Sequence, residues 1–184
     1  MRMCTRTLSL VAALAISAGA LVLTGCEAES EEYSTAAAPA AATASLPQGL
    51  VVSAKPEGAQ SVNAVKAAAK EGDEVVMSGI IGGAEEPLAA NRAIFTMIDP
   101  ALTTCDEMSA DMCKTPWDAC CEPREKIVAQ SATVQVAGTD GQVLKSGLNN
   151  VSGIAPLKNV TIKGKVRSKA DQVLVVDATA IHVE

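Results

Sequence analysis

The sequence predicts a mainly β domain of five strands, with one N-terminal helix, a short helical connection before the fourth strand, and a cysteine-rich loop insert. Three observations lead there. Short valine- and isoleucine-rich runs alternate apolar with polar residues, the period-2 signature of half-buried strands. Glycine, proline and aspartate punctuate those runs at turn-like intervals. One stretch breaks the pattern: residues 103–126, TTCDEMSADMCKTPWDACCEPREK, hold four of the six cysteines and the single tryptophan.

The domain is expected to span residues 48–184, with the insert at 99–126. Leu50, Val51 and Val52 suit a short strand. Ser61 is placed to cap a helix running to Lys70, with Val62, Val65 and Ala69 on one face and Gly72 past its end. Residues 73–81 (DEVVMSGII) read as the first long strand, and Gly79 inside it permits a bend or bulge. Residues 92–98 (RAIFTMI) follow, with Ala93, Phe95 and Met97 on one face and Ile94, Thr96 and Ile98 on the other. Asp99-Pro100 stops that strand. Residues 131–137 (SATVQVA) form the third strand. Leu148, Val151, Ile154 and Leu157 then recur every three residues, which suits a short helix interrupted by Gly153 and Pro156. Residues 160–166 alternate cleanly, with Val160, Ile162, Gly164 and Val166 inward and Thr161, Lys163 and Lys165 outward. After a turn at 168–171, residues 173–183 make the last strand, apolar on both faces at its start.

This order resembles the OB-fold, a five-stranded Greek-key barrel, here with a helical connection before the fourth strand. Gly79 and the ending VTIKGKVRSKADQVLVVDATAIHVE are similar to small bacterial OB-fold proteins of the cell envelope. GDEVVMSGIIGG, RAIFTMIDP and CKTPWDACCEP together resemble a group of uncharacterised planctomycete-type cysteine-containing lipoproteins, over about residues 50–184. The resemblance implies an OB-like barrel and an envelope location. It implies no activity. Another small β-barrel, or a β-sandwich, is the alternative fold.

The N-terminal segment reads as export machinery. Arg2 and Arg6 give a positive start, and residues 8–23 an apolar run too short for an ordinary spanning helix. Leu23-Thr24-Gly25-Cys26 looks like a lipobox, in which the Cys26 thiol takes the lipid and residues 1–25 are removed. Residues 26–47 are an Ala/Pro/Glu-rich tether with nothing to bury. Loss of residues 1–25 removes two arginines and no carboxylate, so the net charge moves from −6 to −8. Such an acidic chain is a poor partner for phosphate backbones, and Phe95 is the only aromatic on the central strands. Nucleic acid is therefore not an expected partner. The membrane is, through acyl chains such as palmitate on Cys26, with the domain facing the periplasm or the exterior.

With Cys4 in the leader and Cys26 lipidated, Cys105, Cys113, Cys120 and Cys121 remain, and three chemistries compete for them. An oxidising compartment favours two disulfides stapling the insert. Neighbours Cys120 and Cys121 would then pair with Cys105 and Cys113. Four thiolates also suit a tetrahedral Zn²⁺ site, and nearby Met108 and Met112 would extend the soft-donor set toward Cu(I). The C-x7-C-x6-C-C spacing is not that of a zinc ribbon or knuckle. A redox thiol is the third reading, disfavoured by the acidic residues Asp106, Glu107, Asp111, Asp118 and Glu122.

No phosphate-binding loop or nucleophile motif is present, and His182 stands as the single histidine. The expectation is a non-enzymatic, membrane-tethered envelope lipoprotein. It would be an OB-like module binding a protein or envelope ligand, its insert held by disulfides. The alternative is a metal-handling (Zn or Cu) or thiol-redox lipoprotein that uses the four insert cysteines. Sulfurs converging on one point distinguish the second from the first.

Overall fold

Alternating burial organises the chain into one mainly β sheet, seen in a computed structural model that describes residues 46–108 and 113–184. The expected leader, Cys26, nearly all of the tether, and Met112 lie outside the described residues. In chain order the elements are β1 (Gln60–Ser61), α1 (Val62–Ala68), β2 (Glu74–Ile81), β3 (Ile94–Ile98), α2 (Arg124–Ala129), β4 (Ser131–Gln135), β5 (Asn159–Ala170) and β6 (Val173–Val183). The six strands lie in the order β1-β2-β3-β4-β6-β5, and β2 pairs with β5 as well. The pairings β2–β3, β3–β4, β5–β6 and β2–β5 are antiparallel, while β4–β6 and β1–β2 are parallel. Among the described residues no helix is long and apolar enough to cross a membrane.

Ser61 ends the extended run and starts α1, its Oγ accepting from the backbone N–H of Ala64. Val62, Val65 and Ala69 turn inward as their spacing predicts. The core below them is built by alternate residues: Met77 and Ile81 from β2, Phe95 and Met97 from β3, Ala132 and Val134 from β4, and Val160, Ile162 and Val166 from β5. The 50–52 segment is a single parallel bridge, Val51 to Ile181, rather than a full strand.

The last strand shows why its sequence is apolar on both faces. Leu174, Val176 and Ala178 face inward, then Ile181 does, so the parity changes once. The register shifts there: Lys163 pairs with Ala180 and Gly164 with Ala178. Thr179 is the extra residue of a bulge, and a bulge flips every later side chain to the opposite face.

The helical connection expected before the fourth long strand, β5, is not formed. Asn150, Ser152, Gly153 and Leu157 all adopt positive φ, which an α-helix cannot contain. Tight turns take its place, with Val151 N–H donating to Leu148 O and Ile154 N–H to Val151 O. Leu148 and Ile154 still plug the core, so the three-residue apolar spacing reports burial without a helix. The second helix lies instead in the insert, as α2. The connection between β3 and β4 therefore runs on to Gln130, past the expected end at 126. Its neck is closed by Asp99 N–H donating to Gln130 O at 2.8 Å.

Gly79 sits where β2 is shared between two neighbours. It pairs with Val160, and the next residue, Ile80, pairs with both Asn159 and Ile98. A Cβ at Gly79 would press on Ile98 O and lie 2.8 Å from Met97 Cγ. Gly79→Ala is therefore expected to destabilise the domain by about 1–3 kcal/mol through overpacking. A urea unfolding curve with an unchanged midpoint would contradict it.

Candidate metal centre

The four insert cysteines are brought together although Cys105 and Cys120 stand 15 positions apart in the chain. Local bonding explains how. A single 3-10 turn, Cys105–Glu107, follows the extended Thr104. Its backbone is laid against the later part of the loop: Cys105 N–H donates to Asp118 O (2.8 Å) and Asp106 N–H to Pro116 O (2.9 Å). Asp118 then accepts from Ala119 N–H through Oδ1, and Glu122 N–H closes a turn onto Ala119 O. That turn carries Cys120 and Cys121 back over Cys105.

The loop is anchored on the sheet from three sides. Trp117 O accepts from Gly83 N–H at 2.8 Å, and the Trp117 indole N–H donates to Glu85 O at 2.9 Å. Only glycine fits at 82, because a Cβ there would lie 2.6 Å from Trp117 O. Ile98, Leu102 and Ala119 form a second small apolar cluster, flanked by Ile80 and Ile127. Ile98 belongs to the face of β3 that alternation assigns to solvent, and the insert is what covers it. Asp99 is buried and accepts from Asn63 N–H and Ala101 N–H, joining the neck to the first turn of α1. Lys66 donates to Val128 O and Ser131 O, both at 2.6 Å, joining α1 to the end of α2. Burial, with Lys169 nearby, holds the Lys66 amine below its ordinary pKa. Sequence reasoning read Asp99 as a strand stop and passed over Lys66. Neither long-range partner leaves a local signal.

Within this frame the four Sγ atoms of Cys105, Cys113, Cys120 and Cys121 all lie within 4.8 Å of one another. Cys120 is the hub, 3.5 Å from Cys105 and 3.7 Å from Cys113. No S–S bond links the four in this structure. An S–S bond brings sulfurs to about 2.05 Å. The separations instead match the edge of a tetrahedron around Zn²⁺, about 3.8 Å for Zn–S bonds of about 2.3 Å. Cys105 is buried, Cys113 half-buried, and Cys120 and Cys121 are exposed. Burial pushes the Cys105 thiol pKa up, with the Cys120 sulfur adding to it. A cation entering the site has to displace that proton.

Met108 closes the 3-10 turn and is 42% exposed, and Met112 lies outside the described residues. Glu122 is held below the usual carboxylate range by the Lys126 ammonium, 2.6 Å away. Among the described residues Arg124 makes no ion pair. The imidazole of His182 lies 3.1 Å, through Nδ1, from Val52 O, which ties β6 to the incoming chain.

No family model, curated protein or solved structure matches this chain.

Since Cys120 is exposed and joins two other sulfurs, Cys120→Ser should free the insert without unfolding the sheet. Limited proteolysis is expected to cut within 103–126 faster than in the parent chain. The stability of the sheet should change by less than about 0.5 kcal/mol, as for surface sites. Cooperative loss of the whole domain would instead make the insert part of the core.

Proposed function

We propose that this chain is an exported, lipid-anchored module whose insert holds a metal ion through Cys105, Cys113, Cys120 and Cys121. The observation that carries the reading is the convergence of four sulfurs within 4.8 Å at separations of 3.5 and 3.7 Å. Zn²⁺ is the ion those distances suit first, because it takes four thiolates without a geometric preference of its own. Cu(I) is the second, since thiolates are soft donors. Three anchors on the sheet and one buried ligand supply the preorganised shell that a thiolate site requires.

The architecture belongs to the same proposal. Strand pairing runs β2–β3–β4–β6–β5 and returns to β2. That ring, with its parallel β4–β6 pair, supports reading the domain as an OB-like Greek-key barrel. The insert would then be carried between its second and third strands. Lipid anchorage at Cys26 is supported by the lipobox-like Leu23-Thr24-Gly25-Cys26 run. The domain has no catalytic constellation in this reading. It binds, and a protein or envelope ligand is its partner.

Native and denaturing mass spectrometry test the reading on the chain exported to an oxidising compartment and purified without chelator. One zinc or copper ion per chain in the native spectrum is expected. On denaturation the ion leaves, and the mass should retain all four insert thiol hydrogens. A metal-free chain lighter by the hydrogens of two disulfides would overturn it.

A further inference from the structure

The sulfur group is not symmetric. Cys105, Cys113 and Cys120 touch through Cys120, with separations of 3.5 and 3.7 Å. Cys121 lies within 4.8 Å of them but makes no sulfur hydrogen bond among the described residues. It is also exposed, as Cys120 is, whereas Cys105 is 1% exposed. Three sulfurs are therefore in contact through Cys120, and the fourth, on an exposed residue, is the least engaged. Structural zinc sites are closed by four protein ligands, whereas catalytic ones keep one position open to water or substrate, so an exposed and least engaged ligand marks the place where an incoming donor can enter.

We infer that Cys121 is the exchangeable ligand, and that the site passes its ion to a partner bearing soft thiolate or thioether donors. The inference rests on the four-thiolate reading above, with the ion as cargo. An incoming thiol approaches at the exposed side. Its sulfur bonds the ion as the bond to Cys121 breaks, and its proton moves to the Cys121 sulfur. The ion's oxidation state is unchanged and no electron acceptor is needed. Buried Cys105 keeps the ion seated until the incoming donors have replaced the remaining ligands. The exposed Cys120 follows Cys121, so a chelating partner can strip the two in succession. Met108, one turn from Cys105 and 42% exposed, offers a thioether at the same loop.

The test follows Zn²⁺ transfer from the loaded full chain to a chromogenic pyridylazo dye, with reduced glutathione as the soft donor. The transfer rate is expected to rise in proportion to glutathione. Cys121→Ser should speed glutathione-free transfer by about tenfold or more, the scale of a weakened metal shell. It should also flatten the glutathione dependence, and Cys121→Ala, which offers no ligand atom at all, should show both effects. Zinc that is held one-to-one but released at a rate indifferent to glutathione and to both Cys121 variants overturns this inference alone. A chain that retains no zinc overturns the four-thiolate reading and this inference together.

Discussion

Everything described here depends on β2 being paired along both edges. Toward β5 it is bonded from Glu74 to Ile80, and toward β3 at Ile80 and Ile81. The two pairings overlap at Ile80, and Gly79 immediately precedes that point. The close approach of Ile98 O and Met97 leaves no room for a side chain there. The consequence reaches the site. Sharing β2 places the 82–85 turn beside the end of β3, and that turn is where Gly83 and Glu85 receive Trp117. The loop that carries the cysteines is thus seated by the same geometry that lets the sheet return on itself.

The insert obtains its order from few apolar groups. Leu102 and Ala119 are the buried hydrophobics it contributes to the second cluster, beside Ile98 of β3. A core that small stabilises a loop of this length weakly, and small loop-rich units usually add disulfides or a metal. The four converging sulfurs could hold a metal ion. In the proposed metal site, binding free energy would be folding free energy for the insert, so metal loading and insert order would rise together. The sheet has its own, larger core.

The strands were legible because alternation is a local signal. Residues 74–81, 94–98, 131–135 and 159–166 all carry it, and Ser61 marked the start of α1. The cysteines were legible as a group, since four in one loop can act together. Three features were not legible, each for a physical reason. Leu148, Val151, Ile154 and Leu157 keep helical spacing, but positive φ at Asn150, Ser152 and Leu157 turns the chain instead. Nothing in those residue types forbids a helix except Gly153 and Pro156. The bulge at Thr179 depends on its partner strand, so the last strand read as apolar on both faces. The choice between disulfide and metal depends on sulfur positions to within about an ångström, which spacing along the chain does not encode.

The proposed site is four sulfurs around one ion. X-ray absorption at the zinc edge on the purified, zinc-loaded chain tests it most directly. Four sulfur scatterers at about 2.3 Å, with no nitrogen or oxygen shell, are predicted. A first shell of nitrogen and oxygen at about 2.0–2.1 Å would contradict it, because the ion would then be held by something other than Cys105, Cys113, Cys120 and Cys121.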